Sequence, residues 1–326
     1  MPLPPRAVID CGTNTFHLAI AAADDPSNLL FSQRIPVRIG EGGFRTASIR
    51  SDRLARALDA LRTLKETCWN FGVEDIHVVA TSAIRDAGNR DAFLLAARER
   101  IGLEVTVLSG LDEARLIQLG VEPTCPPLPP DGSSASMTMD IGGGSVEFVV
   151  WSQPSDAPRE FFSCDIGVGR LQDFGSPPDP LGTAGAAKFE AFLTAALAPV
   201  TAAIEAAQPV RLVGSSGSFE TFADLLDCSL SDRTIARELP REPFHALAAR
   251  LRTVPLEERL AMPGMAPDRA PFIALSAMLV EVVLDRLPPP ATLWASPAAL
   301  REGVLRAVAR QGGLAAYLQS PHPTSS

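Results

Sequence analysis

DCGTNTFHLAI at residues 10–20 and DIGGGSVEFVV at residues 140–150 are two versions of one phrase. In register at an offset of 130, Asp10 falls on Asp140, Gly12 on Gly142, Thr15 on Ser145, and the apolar tail 18–20 on 148–150. Each copy follows a short apolar or β-prone run, at 7–9 and 137–139, so each reads as strand, tight Gly/hydroxyl turn, strand. A hairpin written twice with an Asp at its mouth predicts two related domains, each lending a phosphate-gripping loop to a shared cleft. One such hairpin alone could be only a hairpin; the matched pair is what points to a ligand.

The turn composition suits an anion. A phosphate cradle needs backbone N–H groups pointing inward, and Gly12, Gly142, Gly143 and Gly144 allow close approach of backbone to anion. Thr13, Asn14 and Thr15, and Ser145 in the second copy, add hydroxyl and amide donors. An Asp just ahead of such a turn repels a bare phosphate. It makes sense if Mg²⁺, with Mn²⁺ as the alternative, sits between them, held by one or two carboxylates plus water and substrate oxygens.

With 326 residues the chain can hold two domains of ordinary size, each with its own core. A hydrophobic content of 46% and mean hydropathy of +0.13 fit a soluble globular protein. No apolar stretch approaches a membrane span, and the opening MPLPPRAVID lacks a signal-peptide apolar region, so a cytoplasmic protein without membrane contact is expected. The five cysteines (Cys11, Cys68, Cys125, Cys164, Cys228) are odd in number and unpaired in spacing, and the histidines are equally scattered. Neither a disulfide framework nor a zinc site is indicated. The net charge of −9 argues against a nucleic-acid partner. An anionic substrate stays open because cations can be local. Lys65 and Lys188 are the only lysines, every other fixed cation being Arg, whose planar fork suits phosphate. Arg34, Arg38, Arg45, Arg50 and Arg53 cluster after the first hairpin, either as such a supply or as solvated surface charge.

Strands and helices alternate in the first region. Helical spacing over 51–71, a strand at 76–80, a helix at 91–101, a strand at 104–108 and a helix opening at 112–119 imply a mixed or parallel sheet flanked by helices. The Pro/Gly/Ser-rich run PTCPPLPPDGSSAS marks the interdomain connection, placed at 125–136 and stiffened in part by polyproline II. The division expected is a first domain over 1–124, a second over 137–296, a C-terminal helix at 297–317 joining the first, and a disordered tail from 318. Within the second domain the pattern predicts a long Ala-rich helix at 186–207, a strand at 210–213, and helices at 241–252 and 270–287.

Four further segments carry chemistry. TSAIRD at 81–86 follows a strand, so Ser82 and Arg85 stand where a strand's carboxyl end opens into a cleft. Arg85 is either a bidentate phosphate clamp or an exposed residue after a capping Thr/Ser. Asp112 and Glu113 open a helix, where acids complement the dipole; Glu113 could instead orient and deprotonate a water. Glu147 lies in an apolar strand, which favours holding metal or water over a solvent-facing edge position. Gly214, Ser215, Ser216 and Gly217 form a third phosphate-type turn at the start of a helix.

The segments VIDCGTNTFHLAI, ATSAIRDAGN, LSGLDEARLIQLGV, MDIGGGSVEFV, IGVGRL, LVGSSGSFETFADL, PGMAPDRA and ASPAALREGVL, in that order over about residues 6–306, resemble the exopolyphosphatase / guanosine pentaphosphate phosphohydrolase (Ppx/GppA) family. The resemblance implies an α/β fold of two actin-like ATPase, sugar-kinase-like (ribonuclease H-like) domains with an interdomain cleft, and suggests a homodimer. It implies Glu113 as general base for water. Asp140 and Glu147 would position magnesium and water, and Asp10 would be the first-loop carboxylate. Arg85, Thr13, Asn14, Gly143, Gly144 and Ser145 would bind terminal phosphates. Cys11 replaces an aliphatic residue and Val146 stands where Thr is common. Longer members carry an HD-type metal domain; this chain has no His-Asp dipeptide and resembles the short branch. The expected activity is hydrolysis of inorganic polyphosphate from its end. The rivals are 5′-phosphate removal from guanosine pentaphosphate, a kinase or ATPase of the same fold, and a sensor without turnover.

Overall fold

The computed structural model describes residues 4–128, 134–152, 159–228 and 230–320. Strands β1 (Arg6–Cys11) and β2 (Thr15–Ala21) form the first hairpin, with Asp10 opposite His17. Strand β3 (Leu29–Pro36) adds antiparallel outside β2; the sequence pattern did not single it out, because its alternation lies on a half-exposed edge. Helix α1 (Ser51–Asn70) buries Leu58, Leu61 and Leu64 beneath this sheet. Next, β4 (Asp75–Ala80) lies parallel to β1, followed by α2 (Ser82–Arg85), α3 (Arg90–Ala96) and β5 (Val105–Val107), which is parallel to β4. Helix α4 (Gly110–Val121) closes this half, its Ser109 cap accepting from the Asp112 N–H.

The second half repeats the plan. Strands β6 (Ala135–Ile141), β7 (Val146–Ser152) and β8 (Glu160–Cys164) are successively antiparallel. Helices α5 (Val168–Gly175), α6 (Gly182–Ala196) and α7 (Ala198–Ala207) precede β9 (Arg211–Ser215), which runs parallel to β6. Then come α8 (Ser216–Leu225), β10 (Arg237–Leu239), α9 (Arg241–Thr253), α10 (Leu256–Leu260), α11 (Ile273–Leu284) and β11 (Thr292–Ala295). The chain finishes with α12 (Leu300–Val308) and α13 (Gly313–Gln319). The sheets are ordered β3-β2-β1-β4-β5 and β8-β7-β6-β9-β11, the latter extended by β10. In each, a three-strand antiparallel meander meets parallel strands. The duplication therefore extends from the hairpin to the whole sheet, giving two like α/β halves.

Several expected bounds move. The helix read over 186–207 is two helices meeting at 69°, because Pro199 has no N–H to continue the first and suits the first turn of the second. Among the described residues no single helix is long and apolar enough to cross a membrane. Ala135 and Ser136, read as connection, are strand residues, and Ser136 Oγ accepts from Arg211 Nε at 2.7 Å. Residues 129–133 of that connection lie outside the described residues. Residues 318–320 are ordered rather than a free tail: α13 runs to Gln319, and Ser320 Oγ accepts from Arg115 Nη2 at 2.9 Å. The helix expected at 270–287 is shorter, because turns occupy its ends, and the one expected at 297–317 is two, α12 and α13, parted by a turn at 309–312.

One apolar core lies in each half, and a third, containing Val8, Val79, Leu116, Val213 and Val304, joins them. Helices α4 and α12 meet inside that third core, backbone against backbone at Gly120 and Gly303. A Cβ on Gly303 would collide with the Leu116 carbonyl, and one on Gly120 with the Ala299 carbonyl. Backbone cannot yield as a flexible side chain can. Gly303→Ala is therefore expected to cost about 3 kcal/mol, read as a lowered denaturation midpoint in urea.

Candidate active site

The cleft lies where the carboxyl ends of β1, β4, β6 and β9 face one another. Its walls include Asp10, Gly12, Thr13, Asn14, Thr15, Ser82, Glu113, Asp140, Gly142, Gly143, Gly144, Ser145, Ser216 and Gly217, around a cavity of about 100 Å³. The two turns are built alike: a Cβ on Gly12 would lie 2.9 Å from the Thr15 carbonyl, and one on Gly142 2.8 Å from the Ser145 carbonyl. They also touch, since a Cβ on Gly143 would sit 2.8 Å from Thr13 Cβ. The carbonyls of Gly142, Gly143 and Gly144 accept from Val168, Arg170 and Gly167 at 3.1, 2.9 and 3.2 Å. A trans peptide sets its N–H opposite its C=O. With those carbonyls drawn to α5, the N–H groups of Gly143, Gly144 and Ser145 point the other way, as a phosphate cradle needs.

Three carboxylates, Asp10, Glu113 and Asp140, line the cleft floor; Glu147, expected with them, is buried beside Asp140 and does not line the cavity. Glu113, buried in the first turn of α4, accepts from Arg85 Nη1 at 2.7 Å. Loss of hydration pushes its pKa up to about 8; Arg85 opposes this and the charges of Asp10 and Asp140 add to it. Asp10 is raised to about 7, first by desolvation, with Arg301 opposing and Asp140 and Glu302 adding. Its Oδ1 is buried with no hydrogen-bond partner, although the residue as a whole is only half-buried. Asp140 is also raised by burial, against hydrogen bonds from Ser215 and Ser216; Ser215 Oγ donates to its Oδ2 at 2.5 Å. Glu147, directly opposite Asp140 in the β6–β7 ladder, is raised well above the usual range by burial, Glu113 and Asp140. Its Oε1 accepts from Ser163 Oγ at 2.8 Å and its Oε2 is an orphan.

Some expected residues stand elsewhere. Arg85 does not line the cavity; it is held by Glu113 and, at 3.3 Å, by the Leu108 carbonyl. Gly214 is a packing residue, since the Phe219 ring fills the space of its Cβ, and Ser215 is spent on Asp140, so of the third turn only Ser216 and Gly217 face the cleft. Among the described residues no three His, Cys, Asp or Glu side chains form a metal-holding group, so Asp10, Asp140 and Glu147 are not a ready three-carboxylate cage. An orphaned Asp10 oxygen beside Asp140 does fit a cation held by two carboxylates and completed by water and substrate oxygens.

Other cleft residues escaped the sequence reading. Arg269 and Arg301 line the cavity and set positive charge against Asp10 and Asp140. His17 also lines it, and the offset of 130 that pairs Asp10 with Asp140 places His17 on Glu147; the repeat itself carried that signal. Glu220 lines it too, and accepts from Arg34 across the two halves at 2.6 Å. Of the arginine group after the first hairpin, Arg34 thus reaches the cleft, whereas Arg50 and Arg53 pair with Asp52 and Glu41 near the surface.

Comparison with known proteins bears on this geometry. Residues 19–311 match the model of the Ppx/GppA phosphatase family, and the chain belongs to that family. It is 30% identical over 305 residues to exopolyphosphatase 1 of Mycobacterium tuberculosis, covering 91% of this chain and 86% of that protein. It is 29% identical over 303 residues to exopolyphosphatase 2 of the same organism, covering 88% and 92%. The crystal structure of an exopolyphosphatase from Cytophaga hutchinsonii superposes with a TM-score of 0.84 at 28% identity, over 98% of this chain and all of that one. The Aquifex aeolicus Ppx/GppA enzyme superposes with a TM-score of 0.73 at 25% identity, over 92% and 98%.

The crowded carboxylates set a stability trend. A carboxyl whose folded pKa lies above its unfolded value near 4 costs nothing below that value; it destabilises increasingly as pH rises through the folded value. The cation-free protein should therefore lose stability between about pH 4 and pH 8. Asp10→Asn, relieving one charge, is expected to flatten the curve and add about 2 kcal/mol near pH 8, measured by thermal melting across that range in a chelator.

Proposed function

We propose that this chain hydrolyses the terminal phosphoanhydride bond of inorganic polyphosphate with water as nucleophile. The observation that carries the reading is Glu113: a buried carboxylate at the cleft floor, steered by Arg85 and facing two donor-rich turns. The likeness to proteins named exopolyphosphatase over nine-tenths of the chain supports the same reading.

In this reading the terminal phosphoryl group rests between the two turns, its oxygens taking the N–H groups of Gly143, Gly144 and Ser145 and the side chains of Thr13 and Asn14. Arg269 and Arg301 offset the charge of the next phosphates. Water lies against Glu113 in line with the bridging oxygen. As the new O–P bond forms, the water proton passes to a Glu113 oxygen and the bridging P–O bond breaks, giving orthophosphate and a chain shorter by one. A divalent cation at Asp10 and Asp140 would neutralise charge on the phosphate oxygens. Positioning and charge stabilisation would supply most of the acceleration. A carboxylate of raised pKa is a stronger base once ionised, so burial of Glu113 serves the proton transfer.

Orthophosphate release from long-chain polyphosphate, short polyphosphate, guanosine pentaphosphate and ATP, each with Mg²⁺ and with chelator, tests the assignment. Long-chain polyphosphate with Mg²⁺ should be fastest; turnover confined to guanosine pentaphosphate or ATP would overturn it. Glu113→Gln is expected to lower kcat ~10²–10⁴-fold with polyphosphate binding retained. In the unaltered protein kcat/KM should rise with pH along a limb displaced from ordinary carboxylates towards pH 8, and that limb should vanish in Glu113→Gln.

A further inference from the structure

A run of alternating charge crosses the lip of the cleft and ends on Glu113. Arg170, on α5 of the second half, donates through Nε to the Gly144 carbonyl at 2.8 Å and through Nη2 to Ser82 Oγ at 3.2 Å. Its Nη2 also meets Asp86 Oδ2, and its guanidinium lies over the Phe44 ring, 4.6 Å from the centroid. Asp165, its neighbour on the same half, is 3.3 Å away and exposed. Asp86 uses its other oxygen on the next arginine, with Oδ1 3.4 Å from Arg85 Nε. Arg85 Nη1 holds Glu113. The order is cation, anion, cation, anion, and only Arg170 comes from the second half.

The two oxygens of Asp86 are thus divided between two arginines, with Ser82 Oγ also donating to Oδ2 at 3.1 Å. A carboxylate released by one partner is free to grip the other's fork with both oxygens, the favoured arginine–carboxylate geometry. If the halves part and Arg170 withdraws, Asp86 and Arg85 are set to close on each other, and Arg85 turns from Glu113. The side chains of Arg85, Glu113 and Arg170 are 16%, 9% and 14% exposed, so the Arg85–Glu113 pair is sheltered from the screening that weakens surface pairs, whereas Asp86, at 34%, is the solvent-facing link.

We infer that Arg170 is a positioning residue that reports closure of the cleft to the base: through Asp86 it keeps Arg85 on Glu113 only while the halves are together. Water is then deprotonated only after the substrate is enclosed. The inference rests on Glu113 being the base. It adds that the base is assembled by a residue of the opposite half which itself touches neither water nor base.

The test uses full-length Arg170→Met, Asp86→Asn and the double variant, with folding checked by thermal melting. On long-chain polyphosphate with Mg²⁺, each single variant should lower kcat ~10–10²-fold with KM changed less than ~3-fold. The double should be no slower than the slower single, because both cut one chain of contacts. Arg170→Lys should recover part of the loss, its ammonium reaching Asp86 without the fork. Losses that multiply, or a raised KM at unchanged kcat, overturn the inference. Should Arg170→Met fail to fold, the kcat–KM split of Asp86→Asn decides. A readout free of substrate is the Arg85 Nε–H resonance in ¹⁵N-arginine-labelled protein: it should move alike in both single variants, and an unmoved signal in Arg170→Met sinks the relay. Glu113→Gln separates the two ideas. Full activity there removes the base, whereas a slow Glu113→Gln beside multiplying losses removes only the relay.

Discussion

Four carboxylates brought together with little water are the constraint around which this protein is organised. Burial raises the proton affinity of Asp10, Glu113, Asp140 and Glu147, and the charge of Asp140 adds to it at the other three. Such a group is unfavourable as structure, because like charges in a poorly hydrated site repel strongly. The fold answers it with arginines rather than with neutral residues: Arg85 on Glu113, and Arg301 and Arg269 near Asp10 and Asp140. The offset is incomplete. Asp10 Oδ1 and Glu147 Oε2 stay without partners, as the proposed cation and polyanion would require.

Holding that floor open demands rigid walls. The first turn excludes a side chain at Gly143, Ser82 and Phe44 exclude one at Gly144, and the crossing of α4 and α12 excludes them at Gly120 and Gly303. Those helices start at the cleft, one with Glu113 in its first turn and the other with Arg301. The glycine crossing therefore fixes the spacing between Glu113 and Arg301. The Arg34–Glu220 pair and the Arg170 contacts tie the halves at two further points. Each joins an arginine of one sheet's domain to a carboxylate of the other, so the same attraction that closes the cleft is open to competition from a polyanion.

The repeated hairpin was legible because everything that defines it is local. Alternation, a tight Gly turn and an Asp at the mouth occupy eleven residues, and their recurrence at a fixed offset announced two like halves before any contact was known. Glu147 was legible for a related reason, being an acid inside an apolar strand, whereas Glu113 stands at a helix start that favours an acid anyway and was marked out by the family resemblance. Pro199 is equally local, but the Ala-rich run on both sides of it has the helix propensity of one element over 186–207, and the break comes only at the proline.

Partnerships across long separations belong to tertiary structure alone. Arg85 carries the same residue type whether it grips a phosphate or a carboxylate, and only folding brings it to Glu113, 28 positions away. Arg170 and Asp86 are 84 positions apart, and Arg34 and Glu220 are 186. Gly214 looks like a phosphate turn in sequence and is a packing position because the Phe219 ring folds onto it. The sequence by itself determined the two-fold plan and the presence of acids and glycines suited to phosphate, since backbone preference and side-chain period act over a few residues. Which charges meet, and which are left for a ligand, was decided only when the two sheets closed on one cleft, because Coulomb attraction and desolvation depend on distance in space.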